Sequence, residues 1–91
     1  MKSIPSHCQP YKQTPTFSET SVPAGLLKAH QTKAGTWGKI VVLEGSLLYR
    51  ILEPEIEEHI LETDKVGIVE PENLHEVEPL GPVSFYVEFY K

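Results

Sequence analysis

Apolar and polar positions in this chain alternate in short runs. Val83–Tyr90 is the clearest: Phe85, Val87 and Phe89 fall on one side, and Ser84, Tyr86, Glu88 and Tyr90 on the other. A period of two is that of a strand with one face buried. Lys39-Ile40-Val41-Val42-Leu43 is β-branched and bounded by Gly38 and Gly45, which predicts a second strand. Glu44-Gly45 then reads as a hairpin turn into a strand over Ser46–Leu52, because glycine supplies the positive φ of tight turns. Glu53, Glu55, Glu57 and Glu58 crowd around Pro54 and Ile56, a solvated hairpin tip, and Glu58–Glu62 starts the next strand. Val66–Val69 and Leu74–Glu78 predict two more, and Ala24–Gln31 another. No stretch of ten residues keeps the i, i+3, i+4, i+7 spacing of an amphipathic helix. About seven short strands separated by turn signals predict an all-β sandwich or closed barrel.

Prolines at 5, 10, 15 and 23 punctuate the first quarter. Each fixes its own φ, removes a donor and biases its predecessor toward extended backbone. Residues 1–15 are therefore expected to form an extended N-terminal arm, with an edge strand near Thr16-Phe17-Ser18 and the β domain proper over 16–91.

Composition narrows the function. Eight Lys and Arg against 13 Asp and Glu leave a formal charge of −5. That balance argues against nucleic acid and against an anionic membrane surface, both of which need clustered cations. No 18-residue apolar run is present, and Met1–Pro5 lacks the apolar stretch of a signal peptide, so the expectation is a soluble cytoplasmic domain. The single cysteine, Cys8, has no partner for an internal disulfide and no argued histidine to activate it. Neither a phosphate-binding glycine loop nor a Gly-x-Ser-x-Gly elbow occurs. Glu57 and Glu58 sit in a run of like charges on a turn, with no feature that would set one apart as an acid. Nothing in the residues demands catalysis.

Four histidines are the candidate chemistry. His7 lies in the arm, and His59 follows the acidic run as an exposed strand residue. His30 and His75 lie beside separate strands, the way imidazoles converge on one cavity in β-barrel metal sites. A hydrogen-bonded structural role is the alternative for each. Trp37, between Gly35-Thr36 and Gly38, either lines a pocket or plugs a barrel end. Tyr86, Glu88 and Tyr90 form a polar-aromatic face, which makes a ligand wall if it looks inward and a partner or solvent face otherwise.

The run His30-Gln-Thr-Lys-Ala-Gly-Thr-Trp-Gly-Lys-Ile-Val-Val-Leu-Glu-Gly45, the segment Val69-Glu-Pro-Glu-Asn-Leu-His-Glu-Val-Glu78 and the Phe89-Tyr90 ending carry a resemblance. Together they resemble the cupin-like N-terminal domain of the tellurite-resistance protein B family, which shares its fold with free-standing YeaR-like proteins. The resemblance extends over roughly residues 10–91 and implies a small antiparallel, double-stranded cupin-like β-barrel. In that family the barrel precedes a methyltransferase domain using S-adenosylmethionine. The Asp-Leu-Gly-x-Gly type motif of that domain is missing from this sequence, so only the accessory domain is expected here. Metal-bearing cupins offer His-x-His, a Glu seven residues before a glycine, and a later His. Here His30-Gln31-Thr32 supplies one histidine, Gly38 stands at the Glu position, and His75 fits the last slot.

The expectation is therefore a binding module holding a small ligand or anion, or one weakly bound divalent metal, near His30 and His75. Glu78 or Glu88 would complete a metal shell, and Trp37, Tyr86 and Glu88 would contact a ligand. The role would lie in the response to tellurite or other toxic anions. The alternative is a ligand-free dimerisation or protein-interaction module, acting with a separate methyltransferase and pairing through Tyr86, Tyr90 and the arm. A minimal metal-dependent enzyme is the third reading. A homodimer is expected, with neither nucleic acid nor membrane as partner.

Overall fold

The computed structural model describes residues 1–91. Seven strands and one helical turn follow in order: β1 (Pro10–Gln13), β2 (Phe17–Ser18), α1 (Ala24–Leu27), β3 (His30–Gln31), β4 (Trp37–Ile51), β5 (Glu57–Leu61), β6 (Gly67–Val69) and β7 (Leu74–Tyr90). All pairings are antiparallel. The longest path of neighbours runs β1-β7-β4-β5 and stays open, so the sheet does not close into the ring expected of a barrel.

Two long strands organise everything else. β4 and β7 pair along almost their whole lengths, from Trp37 opposite Tyr90 to Ile51 opposite His75. The free side of β4 takes β6 near its start and β5 near its end. The free side of β7 takes β3, β2 and β1 in turn.

Glu44-Gly45 is not the expected hairpin turn. The strand continues through it, with register shifts between Val42 and Glu44 and between Gly45 and Leu47. Gly45 does adopt φ +78°, but it spends that freedom on a bulge, with Gly81 of β7 at φ +121° across the bend. An inserted residue bends a strand and increases its twist, which lets one long ribbon wrap a core. Leu43, at the bulge, is correspondingly half exposed. Likewise Leu74–Glu78 and Val83–Tyr90 are one strand rather than two.

Ala24–Gln31 also departs from the single strand expected. Ala24–Leu27 makes one helical turn behind Pro23, and only His30–Gln31 is extended. Pro23 sets a φ of −59° and needs no amide, so a helical turn can start there. Inside the arm, Pro10–Gln13 is an edge strand on β7. The hairpin tip between β4 and β5 covers 52–56, and Glu57 and Glu58 already belong to β5.

The core contains Ile40, Val42, Leu47, Tyr49, Ile51, Leu61, Val69, Val77, Val83, Phe85 and Val87, with Phe17, Val22, Leu26 and Phe89 packed against it. On β4 the inward positions are even before the bulge and odd after it. On β7 they are odd throughout. No helix is long and apolar enough to cross a membrane.

Candidate functional site

A cavity of about 430 Å³ opens between β7 and the chain that precedes β4. Its floor is the buried apolar row Ile40, Val69, Val77, Phe85 and Val87. One wall is Phe17 with Leu26 of α1; Lys12 and Lys33, both exposed, line the mouth with Thr14. The wall is held by local chemistry. The Val83 amide donates to Glu19 Oε1 at 3.0 Å, and the Ser18–Ser21 hydroxyl network closes the turn leading to α1. That backbone donor, ahead of the Glu19 amide, holds the Glu19 carboxyl below its usual range.

His30 and His75 meet at this cavity. They are directly opposed in the β3–β7 register, and cross-strand partners share a face. Their ring centroids lie 4.0 Å apart at 61°. Nδ1 of His30 is 2.9 Å from the Lys28 carbonyl, and Nδ1 of His75 is 2.9 Å from the Asn73 carbonyl. A carbonyl only accepts, so each Nδ1 carries a proton and each Nε2 is the atom left for other partners. His75 is 5% exposed and lines the cavity, and no buried side-chain nitrogen lacks a partner, so its Nε2 is not sealed in the core. Burial lowers the His75 pKa to about 4, against a smaller upward pull from the Asn73 carbonyl, and His30 adds to the lowering. His75 is thus neutral near pH 7, and its Nε2 is a hydrogen-bond acceptor or a base. Tyr49 packs edge-on against it at 6.0 Å and donates its hydroxyl to the Ile68 carbonyl at 3.0 Å. Burial, first, and then Glu70 and Glu57 keep that phenol protonated well above its ordinary range.

The remaining sequence candidates lie elsewhere. Tyr86, Glu88 and Tyr90 occupy the opposite face of β7, where Tyr90 donates to Glu88 Oε1 at 2.6 Å. Neither Tyr86 nor Glu88 lines the cavity, and Trp37 does not line it either; it stands half-buried opposite Tyr90. Glu78 is on that outer face too, 3.9 Å from Arg50, which also binds Glu58 at 2.9 Å and Glu76. No cluster of three or more potential metal ligands exists in the chain. His59 packs beside Tyr49 and lies 3.1 Å from Glu57. His7 is exposed, and Cys8 is a half-buried free thiol.

Phe17, Leu26, Thr36, Lys12 and Lys33 are among the lining residues that sequence reasoning missed. For the floor a signal was present: His75, Val77, Phe85 and Val87 are all odd positions of one strand, so the apolar face and the histidine face are the same face.

Comparison with known proteins fits this geometry. A family model described as the TehB-like domain matches residues 12–87. The chain belongs to the TehB-like family. Two Haemophilus influenzae proteins, each described as a probable S-adenosyl-L-methionine-dependent methyltransferase TehB, are 40% and 38% identical to it over 75 residues. Those stretches cover 78% of this chain but 26% of either relative, so the TehB-like chain spans about a quarter of the length of the curated relatives it matches. The crystal structure of TehB from Haemophilus influenzae superposes with a TM-score of 0.85 at 33% identity, over 93% of this chain and 32% of that one. An E. coli K12 protein shares the fold, with a TM-score of 0.91 at 22% identity, over 100% of this chain and 97% of that one.

Proposed function

We propose that this TehB-like domain is a cupin-like ligand-binding module whose site is the cavity at His30 and His75. One observation supports it most: a preformed, mainly apolar cavity with a few convergent polar groups, within the volume range of small-molecule sites. Fixed Nδ1–carbonyl hydrogen bonds pre-orient both imidazoles, which lowers the ordering cost of binding. By kinship with TehB, the module serves the response to tellurite or related toxic anions, as an accessory to methyltransferase chemistry. The bent β4–β7 ribbon wrapped on its own apolar face supports the cupin-like description.

The cupin resemblance implies a metal, and the donor set fits one poorly. His30 and His75 bring two imidazoles, while Glu78 and Glu88 face the other way. Two nitrogen ligands with water hold a first-row divalent ion weakly, so an exchangeable ion suits this site and a resident one does not.

Native mass spectrometry of the protein isolated from its own cells tests the module reading. Leu26→Trp, on the one-turn helix of the cavity wall, serves as the blocked variant. Added mass on the wild type that the variant lacks supports a bound small molecule; wild type and variant each found at the bare mass of its own sequence count against it.

A second reading, dimerisation, is favoured by the free edge of β5 and by Ile56 and Ile60, which are 75% and 52% exposed. Unpaired edges beside exposed apolar residues are places where another chain can add. Light scattering decides it: a dimer supports the reading, and a monomer at high concentration removes it.

A further inference from the structure

The charge around the cavity is sorted. Thirteen residues of the chain are Asp or Glu, and none lines the cavity. Its charged lining residues are Lys12 and Lys33, both exposed at the mouth. Three carboxylates, Glu58, Glu76 and Glu78, are gathered by Arg50 on the outer face, and that of Glu19 accepts from the Val83 amide. A chain with net charge −5 thus presents a cationic mouth over an apolar floor. The buried His75 lines the same cavity, with Nδ1 committed to Asn73 and Nε2 left for a ligand.

We propose that the cavity takes a small organic hydroxy acid: an apolar body on Ile40, Val69, Phe85 and Val87, a carboxylate toward Lys12 and Lys33, and a hydroxyl that donates to Nε2 of His75. This rests on the reading of the cavity as a ligand site and adds the chemical class. A bare oxyanion such as tellurite is a poor occupant. It would leave the apolar floor uncovered. A cationic ligand is opposed by both lysines and finds no carboxylate. The unprotonated state of His75 near neutral pH agrees with its role as acceptor.

Calorimetric titration of the full chain with four probes tests the class. They are 4-hydroxybenzoate, 4-hydroxybenzamide, benzoate and sodium tellurite. The inference expects 4-hydroxybenzoate to bind best. The uncharged amide should bind about ten-fold more weakly, and benzoate, lacking the hydroxyl, several-fold more weakly. Replacing both mouth lysines (Lys12→Gln with Lys33→Gln) should bring acid and amide together, and because both side chains are exposed the fold should tolerate it. His75→Phe should erase the difference between 4-hydroxybenzoate and benzoate; if that variant does not fold, the benzoate comparison in wild type carries the same information. Equal affinity for acid and amide, or tellurite binding while the aromatic acids do not, overturns the proposed class and leaves the cavity reading standing. A neutral probe, 4-methylphenol, separates the two claims. Binding of 4-methylphenol with no preference for the acid overturns only the class, whereas failure of every probe, neutral or charged, overturns both.

Discussion

His75 carries the most consequence for a single side chain. Its folded pKa of about 4 lies below the unfolded value near 6.5, so the unfolded chain takes up a proton more readily. Its contribution to stability is therefore complete above pH 6.5 and is lost as pH falls toward 4, amounting to about 3 kcal/mol at most. Urea unfolding at pH 7.5 and 4.5 should show a larger loss for wild type than for His75→Leu. Carboxylates titrate in both proteins and drop out of the comparison, while His30 and Tyr49, the other titratable groups packed on this ring, are unchanged. Parallel losses would show that His75 is not held neutral by burial. At this scale the sequence was partly legible. The pairing of His30 with His75 could be anticipated from their flanking strands, but their contact depends on a β3–β7 register that no local pattern encodes. Polar side chains leave the face of Tyr86 and Glu88 open between a ligand wall and a partner or solvent face, whereas strand parity puts the cavity on the apolar side of β7.

Among the elements, the bulge at Gly45 sets the shape of the β4–β7 ribbon. A Cβ there would lie 2.1 Å from the Pro82 carbonyl oxygen, and the backbone is already at φ +78°. Gly45→Ala should therefore cost about 2 kcal/mol or more, since it combines left-handed strain with a backbone clash. Thermal melts check this, with Gly25→Ala as control because its Cβ meets nothing within 4 Å. On the outer face Arg50 joins β4 to β5 and β7 through Glu58 and Glu76, and these carboxylates raise its pKa further. Arg50→Met should weaken this face modestly, with the loss shrinking as salt rises. A salt-independent loss would point to packing of the Arg50 stem instead. The strands were mostly readable from alternation. Their continuity was not, because a glycine at positive φ belongs equally to a tight turn and to a bulge, and only the partner strand decides. Ala24–Leu27 is ambiguous for a related reason: four apolar or small residues fit a strand as well as the single helical turn they form.

For the molecule as a whole, the first fifteen residues bear on both binding and association. β1 covers the end of β7, and Tyr11, Lys12 and Thr14 line the cavity. Deleting residues 1–15 should lower the melting temperature and abolish small-molecule binding, and on the dimerisation reading it should also weaken self-association. A truncated chain that binds as well as the full one would show that this wall is dispensable. The central claim is that the face of β7 bearing His75, Val77, Phe85 and Val87 is where ligand sits. Amide chemical-shift mapping by NMR with 4-methylphenol as titrant tests it most directly. The account predicts saturable shifts at Val69, His75, Val77, Phe85 and Val87, and near-silent amides at Leu48, Ile60 and Arg50 on the outer side of β4 and β5. Shifts gathered on that outer side, or none at the cavity, would contradict it.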